Sequence, residues 1–153
     1  MSDLTAPSPQ RPQGAGLRIG MFGGAFDPPH WAHRNLAETA LKQLGLDQLH
    51  ILPTGQAWHK TRVLIPAEHR VAMCERAFAG LPRVLVDQRE IRRDGPSYTA
   101  DTLRELAAEY PGAQIFLVLG ADQLLAFKTW VRWQEVLQCA TLAVANRGVN
   151  IGA

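Results

Sequence analysis

The chain reads as short apolar runs separated by longer segments in which apolar residues recur every three or four positions. Five runs mark strand candidates: Leu17 to Phe22, Leu49 to Pro53, Arg83 to Asp87, Gln114 to Gly120 and Thr141 to Ala145. Several are nearly unbroken (ILP, VLV, IFLVL, LAVA), as expected of strands covered on both faces, and hence of a buried parallel sheet. Between them, Leu36, Ala37, Ala40, Leu41 and Leu44 fall at helical spacing. So do Val71, Cys74, Ala77 and Phe78, and then Leu103, Leu106, Ala107 and Tyr110. Gly45, Gly80 and the pair Pro111-Gly112 follow these stripes, where a helix end calls for a left-handed residue or a stop. Alternation of this kind with right-handed crossovers predicts an α/β fold, a Rossmann-like doubly wound parallel sheet of about five strands. In such sheets ligands sit beyond the carboxyl ends of the strands, which directs attention to the loops that follow them.

A length of 153 residues suits one domain. Residues 1–16 hold Pro7, Pro9, Pro12, Gly14 and Gly16 without apolar periodicity, so they are expected to be a disordered leader to a single domain over 17–153. Hydrophobic residues at 46% and charged residues at 20% exclude a disordered chain or a fibrous rod. A net charge of +2 argues for neither a nucleic-acid nor a membrane partner and leaves anionic small molecules open, as it does self-association into a homo-oligomer. No apolar run approaches the roughly 20 residues of a membrane span, and no secretory start is visible, so the cytoplasm is the expected compartment. Cys74 and Cys139 lie in helix-like segments without CxxC spacing and are expected to be buried, reduced thiols.

The most informative stretch follows the first strand: GGAFDPPHWAH, residues 23 to 33. Gly23 and Gly24 allow a tight turn and close approach of a ligand to the main chain. Asp27 before Pro28 has the form of an N-cap with proline at the first helical position, so a helix is expected to begin there and to present its amides and dipole to phosphate oxygens. His30 and His33 are then neighbours on one face of its first turn. Two imidazoles there can donate to phosphates, and an anion would favour their charged forms; an isolated HxxH is otherwise a pair of surface or helix-capping histidines. Zinc binding lacks a third ligand and the HExxH pattern. GxGxxG and GxxxxGK[ST] are both absent, which removes support for hydride transfer and P-loop hydrolysis.

This stretch resembles the GG(x)FDPxHxxH motif of the nucleotidyltransferase superfamily, with Pro29 where members often carry an aliphatic residue. From Arg18 to Arg147 the sequence is similar to one branch, the bacterial nicotinate-nucleotide adenylyltransferases. The resemblance implies that Gly23, Gly24, Ala25, Phe26, His30, His33, Gly120, Asp122 and Arg147 contact ATP, with His30, His33 and Lys60 stabilising the reacting phosphates. PTGQAWHK (Pro53 to Lys60) resembles the substrate loop of the family, and EIRRDGPSYTADTL (Glu90 to Leu103) the region beside the pyridine ring. His59, Lys60, Tyr98, Thr99 and Trp130 are the implied mononucleotide contacts, Trp130 by stacking. Asp122, eight residues before Trp130, would accept from ribose hydroxyls. Thr99 and Asp101 also suit helix capping and first-turn charge, and Trp133 suits packing. Magnesium is implied on the ATP phosphates, without dedicated metal ligands. Family members carry a late ISSTxxR-like motif that grips ATP; Asn150 to Ala153 resembles only its opening, without its Thr and Arg, so either an intervening segment is absent or the protein is a shortened form with impaired ATP binding. Other superfamily transferases, acting on pantetheine phosphate or using CTP, and a noncatalytic nucleotide-binding module remain the alternatives.

Overall fold

The computed structural model describes residues 16–55 and 64–145 and the backbone of 151–152. Strand β1 (Arg18–Gly24) is buried from Ile19 to Phe22, and β4 (Gln114–Gly120) from Ile115 to Leu119. These are the unbroken apolar runs, enclosed on both faces. With β2 (Gln48–Pro53), β3 (Val84–Val86) and β5 (Thr141–Ala145) they form a parallel sheet in the order β3-β2-β1-β4-β5. A further strand, β6 (Ile151–Gly152), pairs antiparallel with β5 and extends the sheet beyond the five expected. The order of the strands reverses at the β1/β4 pair, so the loops leaving these two strands diverge and open a crevice.

Helix α1 (Trp31–Gln43) and α2 (Ala67–Ala77) cover one face, where Phe22, Ala37, Leu41, Ile51, Cys74 and Phe116 pack together. Helix α3 (Arg89–Arg92) is a single turn after β3. Helix α4 (Thr99–Glu109) and α6 (Trp133–Cys139) cover the other face around Met21, Leu52, Leu103, Leu106, Leu117 and Val136. Between β4 and α6 lie α5 (Ala121–Leu125) and a 3-10 turn (Phe127–Thr129). Each fully buried Leu or Ile stabilises the fold by about 1.5–3 kcal/mol. The expected helix stops are in place: Gly45 and Gly80 both hold left-handed backbone, at φ 59° and 86°.

The structure corrects two expectations. Helix α1 does not begin at Pro28 but at Trp31, with His30 as its N-cap. The physical reason is Pro29, whose ring excludes the helical region for the residue before it. The Asp27–Pro28 peptide is cis, and the Asp27 carboxylate accepts from the Ile65 amide at 3.1 Å. Cys139 is exposed, because it ends the short α6, whose buried side is Val136; Cys74 is buried as expected, and both thiols are free. Gly16, assigned to the leader, donates its amide to the Gly112 carbonyl at 3.2 Å; residues 1–15 lie outside the described residues.

Candidate active site

The loop leaving β1 carries Phe26 in left-handed backbone (φ 48°), which turns its ring inward. That ring is 3% exposed and packs edge-on against Phe22 and Phe78, so Phe26 faces the core and can meet a nucleotide only through its main chain. Beyond it the two histidines cap α1 reciprocally. The His30 amide donates to His33 Nδ1 at 3.0 Å and the Ala32 amide to His30 Nδ1 at 3.3 Å. With Nδ1 accepting, each neutral ring carries its proton on Nε2, a free donor. The ring centroids are 4.0 Å apart, and His33 also lies 5.0 Å from Phe26. Burial first, and then the neighbouring His30, push the His33 pKa down to about 4. His33 is therefore an uncharged donor at neutral pH, and a bound anion would have to overcome that burial to charge it. Capping through Nδ1 leaves an Nε2–H available on each neutral ring.

A cavity of about 900 Å³ opens beyond β1 and β4, at the reversal of strand order. This is a size that accommodates a small-molecule ligand. Its walls include Gly23, Gly24 and Ala25 after β1, Thr54 after β2, Tyr98 and Thr99 at the start of α4, Asp122 in α5, and Trp130. Residues far apart in sequence thus face one volume. Tyr98 is the N-cap of α4 but makes no side-chain cap bond, and the Thr99 side chain does not cap either, since Thr99 is the first helical residue. The Asp101 amide bonds the Tyr98 carbonyl at 3.0 Å, while the Thr99 and Ala100 amides and the positive end of the α4 dipole have no side-chain cap beside the cavity. Trp130 leans on Phe127, with ring centroids 5.2 Å apart, and keeps a face on the cavity. Trp133 packs against Phe127 from the other side with Lys128 over its ring, the packing role anticipated for it.

Not every expected residue gathers there. His30 and His33 do not line the cavity; they stand at the head of α1, at the far end of the same loop. Gly120 is off the wall as well, its amide occupied by Gln123 Oε1 at 3.0 Å. His59, Lys60 and Arg147 lie outside the described residues.

Three participants escape a reading of the sequence. Glu90 lines the cavity; its carboxylate accepts from Thr102 Oγ1 at 2.8 Å, and burial pushes its pKa up. Arg70 is 1% exposed and donates to the carbonyls of Ile65 (2.7 Å), Ala25 (2.9 Å) and Thr54 (2.7 Å), stitching the loops after β1 and β2 to the head of α2. Its signal was its position four residues before Cys74, on the apolar stripe. His50, embedded in the apolar run of β2, bonds Asp87 at 2.8 Å; Asp87 also holds Arg89, which reaches Glu109 of α4.

The sequence profile of the cytidylyltransferase-like family matches residues 21–151. A relative from Albidiferax ferrireducens, named "Probable nicotinate-nucleotide adenylyltransferase", is 59% identical over 136 residues, which cover 89% of this chain and 69% of the relative. Relatives with the same name from Methylibium petroleiphilum and Bordetella pertussis are 49% and 46% identical, and the chain spans 63% and 64% of their lengths. Among solved structures, a nicotinic acid mononucleotide adenylyltransferase of Plasmodium falciparum complexed with NaAD superposes with a TM-score of 0.77 at 18% identity, covering 86% of this chain and 65% of that one. A putative nicotinate-nucleotide adenylyltransferase from Vibrio parahaemolyticus gives 0.73 at 21% identity, covering 87% and 76%; both likenesses bear on the fold. With its strand order, its GGAFDPPHWAH loop and these relatives together, the chain belongs to the cytidylyltransferase-like family and, within it, to the nicotinate-nucleotide adenylyltransferases.

Proposed function

We propose that the protein transfers the adenylyl group of ATP to nicotinate mononucleotide, giving deamido-NAD and pyrophosphate, in the cytoplasm. The observation that carries this reading is the single cavity that joins the glycine loop after β1 to Tyr98, Thr99, Asp122 and Trp130. Trp130 offers a face for the pyridine ring, with Tyr98 opposite. The uncapped amides at Thr99 suit the carboxylate of the ring. Asp122 accepts from ribose hydroxyls, and the Gly23–Ala25 main chain admits phosphates. The mononucleotide phosphate oxygen attacks the α-phosphorus of ATP; the new P–O bond forms as the bond to pyrophosphate breaks, and no protein nucleophile is needed. Catalysis is then positioning plus donors aimed at the growing charge, namely the Nε2–H groups of His30 and His33 and the ammonium of Lys60. His59 joins Lys60 on the mononucleotide phosphate, and Arg147, with the main chain of Phe26 and Gly120, completes the ATP contacts.

Among the described residues no group of three or more His, Cys, Asp or Glu side chains is placed to hold a metal ion. The residues present fit a magnesium ion that travels with ATP, bound by its phosphates and water, where it would neutralise charge on the leaving pyrophosphate. No helix among the described residues is long and apolar enough to cross a membrane. The test is pyrophosphate release with ATP, magnesium and either nicotinate mononucleotide or its amide. Release that is faster with the acid supports the reading; release with neither, or only when CTP replaces ATP, overturns it.

A further inference from the structure

We infer that the ion pair between Asp101 and Arg132 is a strap that sets the width of the cavity where the pyridine ring is assigned. The inference rests on that assignment to the mononucleotide. The two walls there come from separate elements: the first turn of α4, with Tyr98 and Thr99, and the segment after the 3-10 turn, with Trp130 and Val131. Asp101 lies two residues beyond Thr99 on one wall, and Arg132 two residues beyond Trp130 on the other. Their side chains bond directly across the gap between α4 and α6.

The pair is one edge of a closed ring. Arg132 Nε lies 3.6 Å from Glu135 Oε1, Arg104 bonds Glu135 Oε2 at 2.6 Å, and Arg104 returns to Asp101 at 3.9 Å. Opposite charges alternate around the ring, so each side chain is restrained by two neighbours, unlike in an isolated surface pair. Arg132 also holds left-handed backbone, at φ 55° and ψ 41°, a conformation that glycine adopts freely and an L-residue resists. An arginine in a glycine's conformation is accounted for if its side chain is required, and the strap is what the side chain does. Asp101 and Arg132 are positioning residues; neither lines the cavity.

The test is Arg132→Gly, which removes the charge while easing the backbone, together with Asp101→Asn and the double variant. The strap predicts that each single change raises KM for nicotinate mononucleotide by about three- to tenfold, with kcat and KM for ATP within about twofold, and that the double variant matches either single one. Amide hydrogen exchange should quicken in residues 98–101 and 126–132 in all three variants. Unchanged KM in both single variants overturns the strap, as does an equal rise for ATP or effects that multiply in the double variant. If the unmodified protein makes no dinucleotide, the adenylyl-transfer reading has failed instead. Exchange then decides the strap by itself, since unchanged exchange at both walls overturns it without reference to turnover.

Discussion

His33 serves the fold and, in the proposed reaction, the chemistry as well. Its Nδ1 closes the cap of α1, its ring packs on Phe26, and its Nε2–H remains to be used. Replacing it with alanine is expected to lower kcat by roughly 10²–10³-fold, the effect of deleting one donor aimed at developing charge, while costing only about 1 kcal/mol of stability through the lost cap. Steady-state kinetics and thermal melts separate the two losses. The same ring has a pH signature. Its pKa falls from 6.5 to about 4 on folding, so the unfolded chain binds the proton more tightly. Stability from this group is complete above pH 6.5 and is lost as the pH falls from 6.5 to about 4. The difference in Tm between pH 7.5 and pH 4.5 should therefore be smaller for His33→Ala than for the unmodified protein.

Two buried polar clusters hold neighbouring elements in register. Arg70 supplies the loop carbonyls of Ile65, Ala25, Thr54 and Gly55 with donors that no apolar residue could provide, and two of those carbonyls, from Ala25 and Thr54, belong to residues that line the cavity. Arg70→Met keeps much of the volume but strands those acceptors. It should cost about 3–5 kcal/mol in chemical denaturation, with KM rising for both substrates. Just beyond the carboxyl end of β3, Asp87 joins His50 to Arg89, and Arg89 carries the link to α4 through Glu109. The partners hold the Asp87 carboxyl far below the ordinary carboxylate range despite its burial. Asp87→Asn should destabilise by about 2–4 kcal/mol and leave kcat near its original value, because none of His50, Asp87, Arg89 and Glu109 lines the cavity.

The cavity unites both sides of the strand-order reversal, so a ligand filling it binds the native state alone. Nicotinate mononucleotide at a hundredfold its Kd should stabilise the protein by about 2.7 kcal/mol, a rise in Tm of roughly 5–11 °C. Trp130→Ala should abolish most of that rise for the mononucleotide and keep the rise produced by ATP. Equal loss of both would instead mark a general loosening of the α6 side, where Trp130 packs on Phe127.

Much of this architecture was legible because parallel strands, enclosed on both faces, must be apolar without interruption. Ile115 to Leu119 could hardly be anything else, and the glycines after α1 and α2 mark stops that only left-handed backbone provides. The loop after β1 was legible as a candidate for phosphate because its glycines and histidines fall within eleven residues of chain. Contacts between distant segments were not. The start of α1 depended on Pro29 keeping the residue before it out of the helical region, which leaves His30 as the cap and Asp27 to accept from Ile65 across the chain. The low pKa of His33 depends on burial against Phe26, which no local spacing encodes. Arg70 finds its carbonyls, and Trp130 its place on the same cavity wall as Tyr98, only once three crossovers have brought their loops to the same edge of the sheet. Local hydrophobic period fixes which segments become strands and helices; long-range packing fixes which polar groups lose water, and therefore which of them acquire partners, shifted pKa values and a shared cavity.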